Sequence, residues 1–91
     1  MIFDIDVHDA EGYQEYRRLG APTLARYGGR FLVRGGAAEN LEGEWMPKRV
    51  IVIEFDSARQ AREWHRSTEY QAAKAIRDRT ARSIAIVVDG V

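Results

Sequence analysis

The residues of this sequence that could move a proton or hold an anion are few, and they lie far apart in the chain. Glu54 closes the apolar run RVIVIEF, and Arg30 and Arg34 bracket FLV inside YGGRFLVRGG. His65 follows Trp64 in REWHR. If Val50, Val52 and Glu54 share a sheet face with Arg30, Leu32 and Arg34, then Glu54 comes near an arginine, with Asp4 and Asp6 on the adjoining strand. A carboxylate flanked by arginine stays ionised and can bind or accept a proton; one crowded by aspartates is raised and can act as an acid. Glu54, His65 and Arg34 are therefore the candidate catalytic residues, with Glu54 or His65 handling a proton and Arg34 holding an anionic group. The competing expectation is that these charges form ion pairs that only fix an interface.

A ligand would need apolar walls. Tyr13, Tyr16 and Trp64 recur at helical spacing and would line a cavity between helices and sheet, where such folds hold small molecules. Arg30 and Trp45 complete the candidate ligand-binding set; Trp45 gives the segment AAENLEGEWMP an apolar anchor in a stretch too long for a tight hairpin. His8 and His65 have no fixed metal-binding spacing, and no cysteine is present, so no metal site is expected. No Ser-His-Asp set, nucleophile elbow or HExxH motif occurs. The glycine pairs of YGGRFLVRGG follow a helix and end a strand, the wrong order for cradling a phosphate against helix amides. No cofactor is expected.

These residues sit on a frame of strands and helices. Ile2 to Val7 alternates, with Phe3, Ile5 and Val7 on one side, and reads as a strand. Asp9 is a plausible N-cap, and Tyr13, Tyr16, Leu19, Thr23, Leu24 and Tyr27 form a helical face that Gly20 and Pro22 should break. Gly28 and Gly29 suit a left-handed cap before the strand Arg30 to Arg34. Arg49 to Phe55 is the clearest strand. Ser57 with Gln60 reads as a capping box, Ser67 or Thr68 starts a further helical segment through Tyr70, Ala73 and Ile76, and Ile84 to Val88 is the last strand.

The order strand, helix, strand, strand, helix, strand predicts an α+β, ferredoxin-like βαββαβ antiparallel sheet with its helices on one face. Val50 and Val52 are apolar on one face, and Ile51, Ile53 and Phe55 on the other, so the side without helices needs a cover. Another copy of the chain is the simplest one, and the expectation is a homodimer packed sheet to sheet.

Composition narrows the classes. Ninety-one residues make one domain, residues 1–91, with a core that is marginal alone. Fourteen basic residues, twelve of them arginine, balance fourteen acids, which argues against a nucleic-acid partner. The N-terminus lacks the pattern of a signal peptide, and no apolar run approaches the ~20 residues that span a bilayer. A soluble, cytoplasmic protein without membrane contact is expected.

The runs EYRRLGAPTLARYGGRFLVRGG, LEGEWMPKRVIVIEF and STEYQAAKAIR resemble the DUF1330 family of small uncharacterised proteins over nearly the whole chain. The matching positions are Tyr27, Gly28, Gly29, Arg34, Gly35, Gly36, Trp45, Glu54 and Tyr70. His65 stands where the family often carries an aromatic. The resemblance implies a dimeric α+β barrel, a superfamily that includes cofactor-free monooxygenases, muconolactone-isomerase-like enzymes and haem enzymes, whose activities do not pass through the fold. The functional expectation is a homodimer that binds a small organic ligand between sheet and helices, with cofactor-independent proton-transfer or monooxygenase-like chemistry on an aromatic or carbonyl compound as the enzymatic version. The alternative is a non-catalytic interaction or binding module whose charges serve assembly.

Overall fold

In the computed structural model, which describes residues 1–91, the elements run β1 (Ile2–Val7), α1 (Ala10–Gly20), a 3₁₀ segment (Ala21–Tyr27), β2 (Arg30–Arg34), β3 (Val50–Glu54), α2 (Ala58–Arg66), α3 (Thr68–Thr80) and β4 (Ala81–Ile86). The strands pair antiparallel in the order β2-β3-β1-β4. This is the expected ferredoxin-like α+β topology.

Local chemistry sets the boundaries. Asp9 caps α1 by accepting from the Gly12 amide at 3.1 Å. Pro22 cannot donate to the preceding turn, and the chain tightens into the 3₁₀ segment after Gly20. Gly28 ends that segment at φ 72°, left-handed backbone that glycine adopts without strain. Ser57 Oγ accepts the Gln60 amide at 3.1 Å, the first half of the expected capping box. Ser67 serves two helices: its backbone amide and hydroxyl both donate to the Trp64 carbonyl, and the same hydroxyl accepts from the Tyr70 amide.

Two expectations about strands need correction. β4 begins at Ala81, three positions before Ile84, because α3 ends at Thr80 and Ala81 is already extended, pairing with Val7. In β2 the register slips between Phe31 and Val33, a β-bulge at Leu32.

The core lies between the sheet and the helices. Phe3, Ile5, Ile51 and Ile53 project from the sheet onto Leu24, Trp64, Tyr70 and Ala73. Trp64 and Tyr70 stack with ring centroids 3.9 Å apart, and Phe3 meets Trp64 edge-on at 6.3 Å. The buried indole N–H donates to Thr23 Oγ1 at 2.8 Å, and Thr23 donates on to the Gly20 carbonyl at 2.6 Å, so this polar chain costs little to bury.

The opposite sheet face has no layer over it. The molecule is 17 Å thick against 37 and 35 Å in its other directions, the proportions of one sheet plus one layer of helices. On that face Ile84 is 66 % exposed, Leu32 59 % and Ile86 55 %. No helix is long and apolar enough to cross a membrane.

Candidate functional site

Period two puts Arg49 in phase with Ile51 and Ile53, so it belongs to the helix side of β3. Arg34 reaches the same side by a different route. A regular strand would send Arg30, Leu32 and Arg34 to one face. The bulge at Leu32 gives β2 an extra residue, so Arg30 pairs with Glu54 on the open face while Arg34 pairs with Ile51 on the helix side. Arg17, one helical turn after Tyr13, completes a set of three arginines around a cavity of about 40 Å³ between the sheet, α1 and the 3₁₀ segment.

The walls of this cavity are mainly apolar, with Leu24, Phe31, Ile51 and Trp64 among them, and Tyr13 and Tyr16 beside the arginines. No aspartate, glutamate or histidine lines it. None of Arg17, Arg34 and Arg49 has a carboxylate within salt-bridge distance, although six ion pairs form elsewhere. The guanidinium of Arg34 is held over the Phe31 ring, and that of Arg49 lies where a side chain on Gly35 would collide with it. Gly35 also has φ 75°, so two constraints require glycine there. Arg49 Nε is buried and has no hydrogen-bond partner.

The backbone behind Arg49 is anchored from β1. Asp4 accepts from the amides of Lys48 and Arg49 at 2.9 and 3.2 Å and from the Trp45 indole at 2.8 Å, and the Ile5 amide donates to the Arg49 carbonyl at 2.9 Å. Burial alone would raise the Asp4 carboxyl, but these three donors and the Lys48 charge outweigh it and hold the group below its ordinary value.

A second polar chain reaches the cavity from the core. Arg77 is 3 % exposed and lies over the faces of Phe3 and Tyr16. It donates through Nη1 to the Tyr70 hydroxyl at 2.6 Å, and that hydroxyl sits 3.0 Å from the hydroxyl of Tyr16. Burial foremost, with Tyr16 adding to it, pushes the Tyr70 phenol far up, so it stays protonated. Either hydroxyl can be the donor of the Tyr16–Tyr70 bond, and when Tyr70 donates, the Tyr16 hydrogen is free for another acceptor. Burial and Tyr16 likewise raise Tyr13, against the opposing pull of Arg49 and Arg17.

Of the expected ligand-binding residues, Tyr13, Tyr16 and Trp64 line the cavity. Trp45 stands outside it, tied to Asp4, and Arg30 is ion-paired with Glu54 on the open face. The expected catalytic set is dispersed. Arg34 is in the cavity. Glu54 lines a separate trough of about 460 Å³ bounded by the C-terminal residues Val87 to Val91. His65 borders a third depression with Met1 and Arg62, its ring against Trp64 and Tyr70. Burial first, then Arg77, Lys74 and Arg66, lower the His65 pKa. The expectation that Glu54 and Arg34 share a face is thus corrected, and the bulge is the cause.

Sequence reasoning gave Arg17, Arg49 and Arg77 no part in the site and placed Asp4 only as a neighbour of Glu54. The signals for the first two were present: Arg17 follows Tyr13 by four residues, and Arg49 precedes Ile51 by two.

Comparison with known proteins gives a family and a fold. The family described as "Domain of unknown function (DUF1330)" matches residues 1–91. No curated protein matches. Among solved structures, the chain is similar to a protein of unknown function from Rhodopseudomonas palustris, a structural genomics target, with 23 % identity and a TM-score of 0.63 over 91 % of this chain and 78 % of that one. At that identity the likeness is one of fold.

Proposed function

The chain belongs to the DUF1330 family, and from there we propose that it is a homodimer that binds a small organic ligand in the cavity between the sheet and α1. The observation that carries the proposal is the cavity itself, an apolar pocket with convergent arginines and tyrosines in a core otherwise filled by aromatic packing. Neither Glu54 nor His65 reaches it, so the geometry favours binding over proton transfer by those two residues.

The open sheet face supports the dimer. Ile2, Val52, Ile84 and Ile86 give it an apolar patch beside Asp4 and its Trp45 partner, while Asp6 faces Arg82 and Arg30 faces Glu54 across strand pairs, so both charge signs are present on one face. A two-fold interface needs a self-complementary surface of this kind. On this reading the Arg30–Glu54 pair serves assembly, in line with the alternative that the charges on this face have no chemical role.

The test is a panel of small organic acids, amides, alcohols and ketones followed by thermal shift and by the amide resonances of cavity residues. Stabilisation together with shifts at Tyr13, Tyr16 and Phe31 supports the proposal. A panel that moves none of these resonances at millimolar concentration overturns it.

A further inference from the structure

Resting on the ligand-binding proposal, we infer that the ligand is a small organic monocarboxylate on a compact apolar body, with its carboxylate taken by Arg34 and Arg49 and its body set against Phe31, Leu24 and Ile51.

The cavity holds three guanidinium groups and no opposing charge. The chain has fourteen acids available, and it pairs arginines elsewhere even at exposed positions such as Arg18 with Glu15 and Arg59 with Glu63. Arg34 is exposed and Arg17 and Arg49 are half-buried, so the three guanidinium groups ring the mouth of the cavity, and an anion placed among them is attracted by all three. Arg49 Nε is a buried donor without an acceptor, the kind of group a native structure leaves open for a ligand.

The remaining polar group also favours an acceptor. The Tyr16 hydroxyl shares one hydrogen bond with Tyr70, which accepts from Arg77, and when Tyr70 gives its hydrogen to that bond the Tyr16 hydrogen is available to an acceptor on the ligand. Guanidinium forks match the planar, two-oxygen geometry of a carboxylate. The guanidinium of Arg34 stands over Phe31, and that of Arg49 lies against Gly35, so each has a wall that limits its freedom before binding. The interior, about 40 Å³ with Ile51 and Trp64 as its floor, admits no more than a short chain as it stands, and a ring would have to rest in its open side against Phe31.

The probes are benzoate and propanoate against benzamide and propanamide, with inorganic phosphate as an anion that lacks an apolar body. Binding is followed by amide resonances of Tyr16, Arg34, Gly35 and Arg49 in the full-length protein. The carboxylates should bind at least about ten-fold more tightly than their amides, because loss of the charge leaves buried donors unmatched. Phosphate should bind more weakly than benzoate. Arg34→Gln should lower carboxylate affinity by about ten-fold or more and leave amide affinity unchanged. Arg34→Lys keeps the charge without the fork and should fall between. Thermal melts establish that each variant is folded; if Arg34→Gln is not, Arg49→Gln takes its place.

Equal affinity for benzoate and benzamide, or carboxylate shifts that persist unchanged in a folded Arg34→Gln or Arg49→Gln variant, overturns the inference while leaving a ligand-binding protein. Phosphate binding as tightly as benzoate overturns the organic body. If no probe, charged or neutral, moves the cavity resonances, both this inference and the ligand-binding proposal fail.

Discussion

The guanidinium carbon of Arg34 lies 4.3 Å from the centre of the Phe31 ring, although residues three apart on a regular strand face opposite ways. The bulge at Leu32 brings them together on the helix side of the sheet. Phe31 is thereby both a wall of the cavity and the support for one of its charges.

Replacing Phe31 by Leu keeps an apolar wall and removes the ring under Arg34. A cation–π contact at a half-open site contributes about 0.5–1 kcal/mol, so benzoate affinity should fall by about two- to five-fold. Isothermal titration of Phe31→Leu against the parent measures it. An unchanged affinity would mean that the ring does not position the arginine.

The open sheet face should hold two subunits together. Val52→Lys and Ile84→Lys, each placing an ammonium group in that patch, should give monomers in sedimentation equilibrium at micromolar concentration. The thermal midpoint of the parent should rise with protein concentration, and that of the variants should not. A monomeric parent across the micromolar range would remove the dimer.

Tyr16→Phe takes away the hydroxyl that hydrogen-bonds the buried Tyr70 hydroxyl. Leaving such a group unmatched costs about 1–3 kcal/mol, or roughly 4–8 °C of thermal midpoint per kcal/mol in a domain of this size. Calorimetry should therefore show a marked drop. Tyr13→Phe, with no hydrogen bond of that kind to lose, should be milder.

Asp4 ties the long loop to β1 and fixes the backbone of Arg49. Asp4→Asn should speed hydrogen exchange at the Lys48 and Arg49 amides by about ten-fold or less, as the site is partly exposed. Because the folded carboxyl lies below its ordinary value of 3.8, its contribution is present above that pH and is lost as pH falls through the folded value. Stability of the Asn variant should show a shallower acid limb, read by denaturant titration at stepped pH.

His65 works with the opposite charge and the same sign of slope. Its folded pKa is below 6.5, so the folded state resists protonation. Its neutral form fits the fold at neutral pH, and stability falls as pH drops through 6.5 toward the folded value. His65→Phe should flatten this loss below pH 6.5. An identical slope in the variant would assign the loss to other groups.

The strand and helix order was legible because alternation in β1 and β3 and the Asp9 and Ser57 caps are local signals. The three cavity aromatics were also legible, from helical spacing alone. The bulge was not. Leu32 is an ordinary strand residue, and nothing in RFLVR marks the slip, so parity sent Arg34 to the wrong face and brought Glu54 to it. Trp45 looked like a cavity wall because it is large and apolar; its indole N–H and the Asp4 carboxylate place it elsewhere. Arg49 was hidden by position, since a charge at the head of an apolar strand reads as its boundary.

One hydroxyl, that of Ser67, both closes α2 and opens α3. These helices therefore share a rigid elbow, and neither can swing without carrying the other. The 3₁₀ segment is tied to the same block, because Thr23 holds both the Gly20 carbonyl and the Trp64 indole. Any breathing that admits a guest should then fall on the β2 side, where Arg34 is exposed, with the Trp64 side standing still as the anvil against which the pocket opens and shuts.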